Sequence, residues 1–136
     1  MPVKQLIKGR KHKISAWIEG GSCQVETFLS KLRINSPQNC TEVIALIAKA
    51  SRFGPPENEE VCRLADKKKA GDLYLFLTGG GICVFWFYYK TNIVIISCVN
   101  VSDFASEITN AFSIKRKFAE EIEHDLFKQS RRNLYF

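Results

Sequence analysis

The side chains in this chain that could do chemistry are mainly basic and aromatic. Lys67-Lys68-Lys69 and Lys115-Arg116-Lys117 are the two cationic runs inside the body of the sequence, and Lys90 follows Tyr88 and Tyr89 at a break between apolar runs. Such cations hold nucleic-acid phosphates by releasing condensed counterions. Lys67, Lys68, Lys69, Tyr88, Lys90, Lys115, Arg116 and Lys117 are therefore the candidate RNA-binding residues. The competing reading is plain solvation, because a lysine triplet before a strand is usually a loop and a basic helix face usually serves solubility.

Nucleophiles and metal ligands are poorly represented. Cys23, Cys40, Cys62, Cys83 and Cys98 are odd in number and scattered, and only His12 and His124 could add imidazoles. Neither a zinc-ligand spacing nor a disulfide framework results, so no metal site and no cofactor is expected. Cys83 and Cys98 fall in apolar runs, where a free thiol behaves as a small buried hydrophobe. His124 lies between Glu123 and Asp125 and reads as a surface residue. Gly79-Gly80-Gly81 joins two strand-like runs and opens no helix, which makes it a turn and not a phosphate cradle. No residue is assigned a catalytic role.

The net charge of +6 is carried by the ends. Residues 1 to 13 hold Lys4, Lys8, Arg10, Lys11 and Lys13 and no acid, while residues 126 to 136 hold Lys128, Arg131 and Arg132. The body between them has 14 acids against 12 basic residues. Residues 1–12 are expected to be a basic flexible arm and 127–136 a basic tail, both able to meet RNA phosphates or simply to be solvated. A chain of 136 residues is enough for one core. No apolar run approaches a membrane span, and the charged start lacks a secretion signal, so a cytoplasmic protein with no membrane partner is expected.

These residues need a scaffold, which the periodicities supply. Lys13 to Glu19 alternates, with Ile14, Ala16 and Ile18 on one side, and predicts a strand. Val25, Phe28, Leu29 and Leu32 recur at helical spacing over 24–33. Ser36-Pro37 predicts an N-cap and first turn for a second helix over 37–52, stopped by Phe53-Gly54-Pro55-Pro56. Val61 to Leu64 is a brief extended segment. Gly71 to Val99 then holds three apolar runs separated by Thr78-Gly79-Gly80-Gly81 and Lys90-Thr91-Asn92, which predicts an antiparallel meander over 72–78, 81–89 and 92–99. After Ser102-Asp103, helical spacing of Phe104, Ile108, Ala111, Phe112, Phe118 and Ile122 predicts a long helix over 103–126. Phe28, Leu32, Ile44, Ile47, Phe85, Phe112 and Ile122 are expected in one core.

The order of these segments resembles the HigB-like, phage-associated branch of the RelE/ParE toxin superfamily over about Lys13 to Glu123. The resemblance is carried by the Val25-x-x-Phe28-Leu29-x-x-Leu32 helix, the Phe53-Gly54-Pro55-Pro56 helix ending, the short Leu64 segment, Gly71-Asp72-Leu73-Tyr74 leading into the aromatic meander, and the final helix with Ala111 and Lys115. It implies a small α+β domain over 13–126, in which two N-terminal helices pack on a twisted antiparallel sheet followed by a long C-terminal helix. It further implies a toxin of a type II toxin-antitoxin pair, inhibiting translation as a ribosome-associated messenger-RNA endonuclease. Its partners would be the ribosome or messenger RNA and a small antitoxin, often carrying a helix-turn-helix.

The chain departs from that family where the chemistry would sit. The family usually places an arginine in the middle strand, and Cys83 occupies that position within Ile82-Cys83-Val84-Phe85-Trp86. It usually carries lysines after the last strand, where this chain has Cys98-Val99-Asn100-Val101-Ser102. An arginine forks a phosphate bidentately and steadies the charge of a developing phosphorane, which cysteine cannot do. The alternative is a non-enzymatic binding protein on the same scaffold that inhibits or modulates a host macromolecule.

Overall fold

The computed structural model describes residues 2–68 and 72–134, with 126–134 as backbone alone. The chain runs β1 (Val3–Lys8), β2 (Lys13–Trp17), α1 (Gln24–Asn35), α2 (Pro37–Phe53), β3 (Cys62–Leu64), β4 (Tyr74–Leu77), β5 (Ile82–Tyr89), β6 (Asn92–Asn100), a 3₁₀ turn (Val101–Asp103) and α3 (Phe104–Leu134). The six strands form one sheet in the order β1-β2-β6-β5-β4-β3. This is the expected α+β domain with two early helices and a long final one. The sheet is mixed and not purely antiparallel, because β2 lies parallel to β6 while every other neighbour is antiparallel. A parallel pair needs a crossover connection, and α1, α2 and the meander provide it.

The expected arm is a correction. Residues 3–8 form the outer strand β1, paired with β2 from Val3↔Trp17 to Lys8↔Lys13. Its Leu6 and Ile7 pack partly buried against the core, which a solvated arm would not do. At the other end, α3 continues as helical backbone to Leu134, into the stretch expected as a tail.

β5 and β6 are apolar on both faces, so both faces of the sheet must be covered. On one face Ile14, Ala16, Phe76, Val84, Trp86, Ile93 and Ile95 meet Val25 of α1 and Val43, Ile47 and Ala50 of α2. On the other, Trp17, Leu75, Cys83, Phe85, Phe87, Val94 and Ile96 meet Ala111, Phe112, Ile114 and Phe118 of α3. The single expected core is thus two cores separated by the sheet. Phe28, Leu32 and Ile47 belong to the first, and Phe85, Phe112 and Ile122 to the second. Ile44 belongs to neither and is 52% exposed, since its position on α2 faces away from the sheet.

Local devices set the layers. Ser36 ends α1, its N–H donating to Leu32 O at 2.7 Å, and Pro37 opens α2; the Ser36 side chain makes no cap bond. β6 carries one extra residue opposite β5, where Phe85 pairs with Ser97 and Trp86 with Ile95. β2 stops pairing at Ala16↔Ile95, and beyond it the Gln24 amide takes the place of a strand. Its Nε2 donates to Cys98 O at 2.7 Å, and its Oε1 accepts from Cys98 N at 2.9 Å. That reciprocal pair fastens the start of α1 to an otherwise open strand edge.

Phe85→Ala, which empties the centre of the second core, should destabilise by about 3 to 5 kcal/mol. Ile44→Ala should change stability by less than about 0.5 kcal/mol, as surface substitutions do. Equilibrium urea denaturation reads both, and a comparable loss at Ile44 would contradict the two-core arrangement.

Candidate nucleic-acid interface

The parallel pairing of β2 with β6 decides which charges meet. Because Ile14 lies beside Ile93, the turn between β1 and β2 sits next to the turn between β5 and β6. The first turn carries Lys8, Arg10, Lys11 and Lys13, and the second carries Lys90. Lys13 N donates to Asn92 Oδ1 at 3.0 Å, and His12 Nδ1 hydrogen-bonds Thr91 O. The first turn also meets the end of α2, since Lys11 N and His12 N each donate to Ser51 O at 3.0 Å. Gly9 permits that approach, because a Cβ there would overlap the Ser51 carbonyl group. Arg52 lies in the last turn of α2 and is exposed, with its guanidinium 5.6 Å from the Phe53 ring centre.

Lys67 and Lys68 leave the sheet at this same end. Leu64 pairs with Tyr74 and Tyr74 with Trp86, so the residues after β3 emerge beside the far half of β5. Lys67 and Lys68 are exposed in a turn in which Asp66 Oδ1 accepts from Lys68 N at 2.9 Å. Lys69 lies outside the described residues. Asp66 and Asp72 are the acids of this connection, and Glu123 of α3 lines the other face of the same end. Most other acids of the strand connections lie at the opposite end: Glu42 accepts from Gly79 N at 2.7 Å in the β4–β5 turn, and the Glu57–Glu60 loop leads into Val61, whose carbonyl bonds Leu77 N. The sheet is therefore charge-polarised along its strands.

Tyr88 stands at the basic end on the α2 side. It is 40% exposed, and its ring lies 5.0 Å from Trp86, 5.5 Å from Tyr74 and 5.8 Å from His12. Tyr74 in turn stacks on Trp86 at 4.6 Å. Burial raises the hydroxyl pKa of both tyrosines, with Asp72 adding to the rise at Tyr74 and Cys62 at both. Both therefore stay neutral donors at physiological pH. This gives a half-exposed aromatic face set among cations.

The α3 side of the same end holds a groove of about 300 Å³ lined by Phe87, Tyr88, Tyr89, Lys115, Phe118, Ala119, Ile122 and Glu123. Lys115 Nζ sits 5.9 Å from the Phe87 ring centre and Lys90 Nζ 5.5 Å from that of Tyr89. Lys90 adopts φ 56°, the left-handed region that normally costs a non-glycine residue about 1 kcal/mol or more. Backbone strain of this kind clusters at functional positions. Arg116 is exposed, whereas Lys117 is turned away to Glu19, to which Nζ donates at 2.9 Å. That bond holds the Glu19 carboxyl below its ordinary pKa range.

Of the candidate residues, the fold thus brings Lys67, Lys68, Tyr88, Lys90 and Lys115 to one end and diverts Lys117. His12 and Arg52 join them, two residues that the sequence does not mark for this role. Nothing in their local surroundings along the chain could do so, because their place depends on β2 lying beside β6.

Cys83 offers no active surface. Cys83 is 1% exposed in the second core, beside Phe85, which stacks on Phe104 of α3 at 5.6 Å. Burial raises the Cys83 thiol pKa, with Arg63 offsetting part of the rise, and burial also raises that of Cys98. Cys62 is half-buried and pushed up to about 11. Among the described residues, no group of three or more His, Cys, Asp or Glu could hold a metal ion, and no helix is long and apolar enough to cross a membrane.

Protonated thiols are poor nucleophiles, so Cys62, Cys83 and Cys98 should resist iodoacetamide at neutral pH in the folded chain and react in denaturant. Mass spectrometry of the alkylated protein reads this, and fast labelling of Cys83 in the native state would contradict its burial. Gly9→Ala, which has no room beside Ser51, should lower stability by about 1 to 3 kcal/mol through overpacking. An unchanged melting temperature would mean that the β1–β2 turn is not held against α2.

Comparison of the chain with models of known families, with curated proteins and with solved structures finds no match in any of the three.

Proposed function

We propose that this protein is a non-enzymatic RNA-binding protein on a RelE/ParE-like scaffold, inhibiting or modulating translation by occupying RNA rather than cleaving it. The observation that carries this reading is the convergence of Lys8, Arg10, Lys11, Lys13, Arg52, Lys67, Lys68 and Lys90 on one end of the sheet around the exposed face of Tyr88. A cationic surface supplies phosphate attraction in proportion to the phosphates it neutralises, and a tyrosine face adds stacking on a base. Cleavage would need a base, an acid and fixed cations around one phosphate. Cys83, at the position matched to the family arginine, is enclosed and uncharged, which favours binding over catalysis.

A second reading keeps the catalytic role of an mRNA-cleaving toxin with an antitoxin partner. It is favoured by the order of strand, two helices, meander and final helix, which parallels the family implied by the sequence. In that case the cations that replace the missing arginine would come from the same end, and the protein would act in the cytoplasm.

Purified protein should bind RNA with an affinity that falls linearly in log–log with salt, and should leave the RNA intact. Neutralising Lys67 and Lys68 together should reduce the slope by about 0.7 for each single-strand phosphate that is no longer neutralised. Lys90→Gly, which also relieves the positive φ, should weaken binding with stability kept within about 1 kcal/mol. Induced in a bacterium, the chain should slow growth without new message ends. Cleaved messages would establish the catalytic reading, and a salt-independent affinity would remove RNA from both.

A further inference from the structure

We infer that His12 is the positioning residue of this interface, the latch that makes two basic turns act as one surface. The inference rests on the RNA-binding reading above. His12 is 8% exposed, among the few buried polar side chains of the described chain. Its ring reaches across to a different part of the chain: Nδ1 hydrogen-bonds the carbonyl of Thr91, at the tip of the β5–β6 hairpin beside Lys90. The acceptor is a carbonyl, so Nδ1 carries the hydrogen and donates it. The same ring lies against Tyr88, the exposed aromatic of the site, at 5.8 Å. Its own backbone N–H is meanwhile committed to Ser51 O at the end of α2.

His12 thus touches three separate pieces of the interface. One is the turn carrying Lys8, Arg10, Lys11 and Lys13; another is the hairpin tip carrying Lys90; the last is the Tyr88 ring. The first turn carries four cations and the second Lys90, and like charges repel. The β2–β6 pairing and the Lys13 N–Asn92 Oδ1 bond bring the two turns side by side, and the His12 ring adds the contact that fixes the hairpin tip itself. Phosphate contacts made simultaneously depend on their spacing being set beforehand, since ordering the turns on binding would subtract from affinity. A buried side chain with a donor aimed at the hairpin carbonyl sets that spacing.

Two substitutions separate the latch from mere packing. His12→Phe keeps a ring against Tyr88 and removes the donor, and His12→Asn keeps a donor near the Nδ1 position and removes the ring. Affinity of the full chain for a labelled oligouridylate would be measured by anisotropy over a range of sodium chloride, with melting temperature recorded in parallel. H12F is expected to remain folded and to show a slope smaller by about 0.7 or more, the equivalent of at least one phosphate left without its cation. H12N is expected to hold the wild-type slope. If H12F does not fold, His12→Ala takes its place in the comparison with H12N.

A folded H12F or H12A with the wild-type salt slope overturns the latch and leaves the RNA-binding reading intact. An H12N slope as low as that of H12F overturns the hydrogen bond as its basis. A wild-type chain with no salt-dependent binding overturns the RNA-binding reading and the latch together.

Discussion

The rest of the structure depends on the fact that β5 and β6 are apolar on both faces. Trp86, Val84 and Ile95 project to one side and Phe85, Cys83 and Val94 to the other, all almost fully enclosed. Leaving either face in water would expose several large side chains, each worth about 1.5 to 3 kcal/mol of burial. Helices must therefore cover both sides: α1 and α2 take one, and α3 takes the other. The consequence for function is geometric. With both faces closed, the polar chemistry of the sheet is pushed to the ends of its strands.

The two ends then differ in charge because of the path of the chain. The β1–β2 turn, the end of α2, the connection after β3 and the β5–β6 hairpin all emerge at one end and carry lysines and arginines. The Glu57–Glu60 loop and the β4–β5 turn with its Glu42 contact lie at the other. On the central strand β5, Cys83 is a thiol inside a core, beneath α3. Closing a face with a helix and using that face for phosphate chemistry are incompatible. This chain has closed it.

Much of the fold is legible in the order of residues alone. The three apolar runs of the meander begin and end within a few residues of β4, β5 and β6, because Gly79 to Gly81 and Lys90-Thr91 interrupt hydrophobic stretches too short for helices. Helical spacing through Val25 and Phe28, through Val43 and Ile47, and through Ala111 and Phe118 likewise marks α1, α2 and α3. The misses have a common cause. Ile44 reads as core because spacing identifies an apolar stripe without saying how wide a stripe the sheet can cover. Residues 3–8 read as a solvated arm because Lys4 and Lys8 mask Leu6 and Ile7, which become useful only where a neighbouring strand offers its edge.

The sequence by itself determined which segments are strands and helices, and which residues carry charge or a ring, because period and side-chain type are local properties. It could not say that Lys11 and Lys90, far apart in the chain, belong to one surface, that Lys117 turns aside to Glu19, or that His12 sits between the two turns. Those placements were decided by the parallel pairing of β2 with β6, a contact between residues 79 positions apart, as in Ile14 beside Ile93. Register of that kind is set by which faces the whole sheet must bury, and no local window of sequence contains that information.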